Sequence, residues 1–170
     1  MYPRQREVSA TVLFRDRQDA GRRLAELLSR TVPDRDSVVL ALPRGGVPVA
    51  REVAWALGLP LDVLIVRKIG VPGHEELAMG AVASSATIVR NEDVLRSLEI
   101  DDETFDSVAE EQQHEVQRRE QLYRDGPALS IQAKPVILID DGVATGSTML
   151  AAVRAVRRAG ARHVTVAVPV

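Results

Sequence analysis

Short apolar runs of strand length alternate along this chain with amphipathic segments of helix length. Five runs are continuous and rich in valine, isoleucine and leucine, as is typical of strands that are covered on both faces: 38–42, 61–66, 87–89, 136–139 and 164–168. Three segments between them carry apolar residues at helical spacing: 19–29, 47–57 and 147–159. This order predicts an α/β fold, doubly wound, with a mainly parallel five-stranded sheet flanked by helices.

Size and composition indicate one domain over 1–170. The chain has 170 residues, 45% of them hydrophobic, which is enough for one core, whereas two domains would each be unusually small. It contains no cysteine, so disulfides and thiolate metal sites are excluded. There is no apolar run near the start that resembles a signal peptide, and none approaches the ~20 residues of a membrane helix. A net charge of −2 argues against a nucleic-acid-coating protein, and we expect a cytoplasmic chain without membrane contact.

Three segments do not fit the strand–helix alternation. Residues 68–80 combine glycines and a proline with no core periodicity, which predicts a mobile loop. Residues 101–124 begin with capping acids and continue as a highly charged helix, which would be about 36 Å long. The chain stops at Val170, inside or just after a strand. We therefore expect the natural protein to continue, or another element to cover this edge.

The most informative stretch covers 136–148 and reads VILIDDGVATGST. Its apolar strand delivers Asp140 and Asp141 to the carboxyl edge of the sheet, where open α/β folds bind ligands. Gly142 and Gly146 then allow a tight turn, so that backbone amides at the start of the next helix can converge on one anion. Acids end many strands and hydroxyls cap many helices, but the combination predicts a phosphate cradle beside two carboxylates, suited to a sugar phosphate.

Two other phosphate-binding motifs can be tested directly. A P-loop needs a lysine directly after its second glycine, and no lysine follows Gly146. The only lysines in the chain are Lys68 and Lys134. The sequence also contains no G-x-G-x-x-G, so neither ATP hydrolysis nor a dinucleotide fold of the usual kind is supported.

The stretch 136–148 resembles the motif with which type I phosphoribosyltransferases bind 5-phosphoribosyl 1-pyrophosphate (PRPP). The resemblance implies that Asp140 and Asp141 contact the ribose hydroxyls. It implies that the following loop holds the substrate, chiefly its 5′-phosphate, through Gly142, Val143, Ala144, Thr145, Gly146, Ser147 and Thr148. The residues 42–48, LPRGGVP, resemble the pyrophosphate loop of the family, with Arg44, Gly45 and Gly46 as contacts. The residues 66–69, VRKI, resemble a segment that places a basic residue on the pyrophosphate, here Lys68 with Arg67.

The resemblance also implies a topology and a reaction. The first and fourth core strands would be neighbours, so that Arg44 and Asp140 face one crevice. The reaction would transfer the phosphoribosyl group from PRPP to a nitrogenous acceptor, in the first instance a nucleobase of nucleotide metabolism, and release pyrophosphate. Mg²⁺ would bind mostly to the substrate and reach Asp140 or Asp141 directly or through water. Lys68, Arg44 and the two acids are the predicted catalytic residues.

The acceptor is left open by the sequence. Type I enzymes recognise it with a small hood built from the chain ends, and we expect this hood to be reduced or missing here, with 1–14 able to supply one strand. Only 3% of the residues are aromatic, so few rings are present to stack a base. Two alternatives remain beside the enzyme: a PRPP-sensing regulator without catalysis, and a transferase module of a larger enzyme. A homo-oligomer is compatible with each.

Overall fold

A computed structural model of the chain describes residues 13–31, 34–84, 86–144 and 146–170. Most of the proposed hood strand over 1–14 lies outside the described residues. The helices and strands, in chain order, are α1 (Arg17–Thr31), β1 (Val38–Ala41), α2 (Gly46–Leu57), β2 (Leu61–Val63), β3 (Val66–Val71), β4 (His74–Ala83), β5 (Thr87–Arg90), α3 (Glu92–Ser97), α4 (Asp102–Tyr123), β6 (Pro135–Ile139), α5 (Ser147–Arg158) and β7 (His163–Ala167).

Four strands form a parallel sheet in the order β2–β1–β6–β7. Val39 of β1 and Ile137 of β6 face the core beneath α1 and α2, whereas Leu40 and Leu138 face the core beneath α5. All four side chains are buried, as the continuous apolar runs predict for strands with helices on both sides. The chain leaves β1 in one direction and β6 in the other, which confirms the doubly wound α/β class.

Two details of the sequence prediction are corrected. The parallel sheet has four strands in the described part of the chain, because the run 87–89 belongs to β5 of a separate antiparallel sheet with the order β3–β4–β5. The segment 68–80 is not a loop, because it forms most of the β3–β4 hairpin, which turns at Pro72 and Gly73. The candidate residue Lys68 is therefore held in a strand.

The predicted charged helix is present as α4 and covers the outer face of the antiparallel sheet. Its apolar residues Phe105, Ala109 and Val116 are buried against that sheet. Asp101 accepts a hydrogen bond from the Thr104 amide at 2.8 Å and caps the start of the helix. Although α4 has 22 residues, neither it nor any other helix among the described residues combines the length and apolarity that a membrane crossing requires.

Candidate active site

The site lies where two loops leave the carboxyl ends of adjacent strands. One loop connects β1 to α2, and the other connects β6 to α5. The two strands pair directly, with Ala41 opposite Ile139, and the Leu42 amide extends the pairing by donating to the Ile139 carbonyl at 2.8 Å. This confirms the prediction that the first and fourth core strands are neighbours, and the two loops therefore start side by side.

The glycines of the β1–α2 loop allow it to touch the two acids. A Cβ on Gly46 would lie 2.6 Å from the Ile139 carbonyl oxygen and 2.9 Å from the Asp140 Cα, and a Cβ on Gly45 would overlap the Asp141 carboxylate. The peptide bond between Pro43 and Arg44 is cis. Only residues without a side chain permit this approach, so the glycine pair brings the first loop against the acids.

The amides of this loop are not equally available to a ligand. The Gly46 amide donates to the Leu42 carbonyl at 3.1 Å, so Gly46 contributes close packing rather than a free donor. The Gly45 amide has no hydrogen-bond acceptor among the described residues. The Arg44 side chain is exposed and has no ion-pair partner in the described part of the chain. Among the described residues, the free donors of the loop are therefore the amides of Arg44 and Gly45 and the Arg44 guanidinium.

Asp140 and Asp141 are half-buried and influence each other. The Asp140 carboxylate accepts a hydrogen bond from the Asp141 amide at 2.8 Å. Burial, together with the neighbouring Asp141 carboxylate, raises the pKa of Asp140. Burial also acts to raise the pKa of Asp141, but the hydrogen bond and charge of Arg17 outweigh it and the pKa of Asp141 is lowered. The pair thus consists of one acid held ionised and one that retains its proton more readily.

Arg17 is the main residue at this site that the sequence analysis missed. It is the first residue of α1, and its Nε and Nη2 atoms lie 2.8 and 2.7 Å from Asp141 Oδ2. The two residues are 124 positions apart, so no local spacing indicates that they meet. The sequence indicated only that a helix begins near Arg17.

The β6–α5 loop forms a cavity of about 200 Å³ next to Asp140. Gly146 has a φ of 75°, which favours glycine at the turn into α5, whereas a Cβ on Gly142 would make only ordinary contact with Val170. The Val143 amide donates to the Val170 carbonyl at 3.2 Å and is therefore occupied. The amides of Ala144, Gly146 and Thr148 have no hydrogen-bond acceptor among the described residues. The candidate residue Thr145 lies outside those residues.

The two basic candidates on β3 point in different directions. Lys68 shares a cavity of about 170 Å³ with Ser147 and Thr148, and its Nζ lies 3.3 Å from the Glu76 carboxylate. The Arg67 Nε donates to Gln112 of α4 at 3.1 Å. Both also border a wider cavity of about 570 Å³ that reaches Thr148. The structure thus brings Lys68 beside the start of α5 and ties Arg67 to α4.

The site offers two carboxylates to a hard divalent cation, which is fewer ligands than such a cation needs. The described residues contain no group of three or more histidine, aspartate or glutamate side chains able to hold a metal ion. Asp140 and Asp141 provide two adjacent carboxylates. Mg²⁺ commonly binds through one or two carboxylates and completes its ligands with substrate phosphates and water. The acid pair therefore fits Mg²⁺ that arrives with a phosphorylated substrate, but not a cage formed by the protein alone.

The fold and the placement of the two loops are those of the type I phosphoribosyltransferase class. The model of the phosphoribosyl transferase domain family matches residues 14–170, and the chain belongs to this family. Over 159 residues, 93% of the chain, it is 46% identical to proteins from two strains of Mycobacterium tuberculosis, whose names assign them provisionally to the phosphoribosyl transferases. The aligned part is 36% of those relatives, so the chain spans about a third of their length.

Two solved structures resemble the chain. The crystal structure of TT1426 from Thermus thermophilus is 44% identical to the chain, covers 91% of it and 74% of its own length, and has a TM-score of 0.84. A purine phosphoribosyltransferase from Pyrococcus horikoshii is 22% identical, covers 88% of the chain and 69% of its own length, and has a TM-score of 0.51. The second likeness concerns the fold alone.

Proposed function

We propose that this chain transfers the phosphoribosyl group from PRPP to a nitrogenous acceptor and releases pyrophosphate. The observation that carries the proposal is the contact between two loops at the centre of the sheet, where Gly45 lies against the Asp141 carboxylate. One loop offers the Gly45 amide and the Arg44 guanidinium to an anion, and the other offers acids and a helix N-terminus. PRPP carries a pyrophosphate, two ribose hydroxyls and a 5′-phosphate. The pyrophosphate matches the Gly45 amide and the Arg44 guanidinium, the hydroxyls match the acids, and the 5′-phosphate matches the helix N-terminus.

The proposed reaction is a substitution at C1 of the ribose. The acceptor nitrogen forms a bond to C1 and gives up its proton to solvent, while the bond from C1 to the pyrophosphate oxygen breaks and its electron pair leaves with pyrophosphate. Asp140 and Asp141 accept hydrogen bonds from the ribose hydroxyls and hold the ribose ring in position. The amides of Ala144, Gly146 and Thr148 hold the 5′-phosphate at the start of α5. Positive charge that is already in place at the leaving group lowers the barrier, because it does not have to reorganise during the reaction.

Mg²⁺ is the proposed cofactor, with Asp140 and Asp141 as its protein ligands, directly or through water. When bound, it supplies positive charge to the phosphate and ribose oxygens of the substrate. The β3–β4 hairpin carries Lys68 above the start of α5 and is the element able to keep water from the ribose. Lys68 is proposed to stabilise the departing pyrophosphate, because 66–69 resembles the segment with which the family places a basic residue on that group.

A nucleobase is the acceptor that we propose, in a cytoplasmic protein of nucleotide metabolism. A second function is favoured by the comparison of lengths: the chain spans about a third of its M. tuberculosis relatives, which supports a transferase module within a longer protein. In that case residues beyond this module would complete the acceptor site. The cytoplasmic location and a homo-oligomeric state remain predictions.

Calorimetric titration with PRPP and Mg²⁺, followed by a pyrophosphate-release assay across purines, pyrimidines and simple amines, tests the proposal. We expect PRPP to bind with Mg²⁺ and at least one acceptor to release pyrophosphate. Binding without release for every acceptor would favour the PRPP-sensing alternative. No binding of PRPP at all would reject both the transferase and the sensor.

Replacing Lys68 by alanine is expected to lower kcat about tenfold or more and to change the Kd for PRPP by less than about threefold. The reason is that the lysine would act mainly on charge that develops as pyrophosphate leaves, whereas the ground state is held by the loops. Steady-state kinetics and calorimetry measure the two effects separately. The matched control is Lys134→Ala, because Lys134 precedes β6 at the opposite end of the sheet. Equal losses in kcat and affinity would reduce Lys68 to a binding contact.

A further inference from the structure

Arg17 is presented to the site by a well-anchored helix start. The Asp19 amide donates to the Asp16 side chain at 2.7 Å, as at a capped helix N-terminus, and the Ala20 amide donates to the Asp16 carbonyl at 3.0 Å. A Cβ on Gly21 would lie 2.7 Å from the Val49 carbonyl oxygen, so α1 packs closely on α2. Since α2 begins at Gly46, the helix that carries Arg17 and the glycine loop form one packed unit.

The ion pair between Arg17 and Asp141 contributes little to folding. The side chain of Arg17 is 60% exposed and that of Asp141 is 31% exposed, and exposed pairs contribute only about 0–1 kcal/mol. Both guanidinium contacts go to Oδ2, so Arg17 leaves Oδ1 for another donor. Arg17 pairs with no other residue in the described part of the chain. Of its five N–H donors, those not directed at Asp141 remain available to a ligand.

The same carboxylate contacts both Arg17 and the glycine loop. Of the Asp141 carboxylate atoms, Oδ2 lies nearest to the position of a Cβ on Gly45, and the Arg17 guanidinium contacts this same atom. An anion bound at the Gly45 amide would therefore lie close to the Arg17 guanidinium. A diphosphate carries several negative charges and would also be repelled by the nearby acids. A planar guanidinium with free donors matches phosphate oxygens and offsets that repulsion.

We infer that Arg17 is a substrate-binding residue that contacts the diphosphate end of the substrate while its charge offsets that of Asp141. The inference rests on the proposed function, because it takes PRPP as the substrate. It adds to the site a cation from α1, a helix that precedes all three sequence motifs. It also gives the ion pair with Asp141 a role in substrate binding. This role explains a pair that contributes little to the stability of the fold.

The test compares ligands that contain different parts of the substrate. For Arg17→Ala, we expect PRPP and inorganic pyrophosphate, each with Mg²⁺, to bind about tenfold or more weakly, a loss of about 1.4 kcal/mol. Ribose 5-phosphate, which lacks the diphosphate, should bind within about twofold of the unmodified chain. Arg17→Lys should recover part of the loss, because it restores the charge without the planar guanidinium. Circular dichroism is expected to show an unchanged fold.

Arg22→Ala is the matched control, since Arg22 lies on the same helix, is 52% exposed and pairs with Glu52 at 3.7 Å. It should leave all three affinities unchanged. Equal losses of pyrophosphate and ribose 5-phosphate in Arg17→Ala would overturn the inference, because Arg17 would then only orient Asp141. Unchanged or tighter pyrophosphate binding would overturn it too. If the unmodified chain binds pyrophosphate but not PRPP, the proposed function fails while the inference is still decided by the variant.

Discussion

Replacing Gly45 by alanine should weaken PRPP binding about 100-fold, equivalent to about 2.7 kcal/mol, without unfolding the protein. The added methyl group would occupy the position of the Asp141 carboxylate and displace it from the site. Gly45 has φ −63° and ψ −36°, a helical conformation that alanine adopts without strain. The effect should therefore fall on the acid and not on the backbone. Calorimetry gives the affinity, and thermal unfolding gives the stability.

The control for this substitution is Gly126→Ala, since a Cβ on Gly126 would meet no atom within 4 Å. It should leave PRPP binding as it is in the unmodified chain. If Gly45→Ala keeps full affinity and full stability, then the position of the Asp141 carboxylate does not matter for PRPP, and the ribose assignment must be abandoned.

The second large effect is expected for Asp141→Asn, which should also reduce PRPP affinity about 100-fold, because charged hydrogen bonds contribute more than neutral ones. The side chain keeps its shape but loses the charge that ribose hydroxyls and Mg²⁺ would use. Since the Arg17 side chain is 60% exposed and Asp141 is only half-buried, the free energy of unfolding should change by less than about 1 kcal/mol. Titration with PRPP and Mg²⁺, together with chemical denaturation, measures both quantities.

Asp36→Asn removes the same charge at the other end of the sheet, just before β1, and serves as the comparison. Its affinity for PRPP should equal that of the unmodified chain. Retained binding in Asp141→Asn would argue against the sugar-phosphate site. A matching loss in Asp36→Asn would mean that total charge, rather than position, controls binding.

The sequence predicts the parallel sheet well because its inner strands are buried on both faces. Val38–Ala41 and Pro135–Ile139 are buried at every position, so each is a continuous apolar run. The hairpin is harder to predict because the first four residues of His74–Ala83 are exposed and the last five are buried, which gives no regular alternation. Glycine also counts against a strand, yet Gly70 and Gly80 lie inside this one sheet.

The site is predictable where its residues are contiguous in sequence and not where they come from distant segments. The acids and the turn at Gly146 stand together in one stretch, and the strand order explains why the glycine loop joins them. The contact of Arg17 with Asp141 depends on how α1 packs on α2, and this packing is set by tertiary structure. Whether a backbone amide is free to bind a ligand also depends on the folded structure, since the amides of Gly46 and Val143 are occupied by carbonyl groups of the chain.

Because β1 and β6 lie in the middle of the sheet, the proposed reaction centre is separated from the sheet edges at β2 and β7. Each of these strands is hydrogen-bonded on both sides, to β2 and β7 as well as to the other. Insertions or extensions beside β2 or β7 can therefore accumulate without altering the gap between the glycine loop and the acids. A scaffold of this kind can exchange the parts that choose a partner molecule while it retains the same reaction centre.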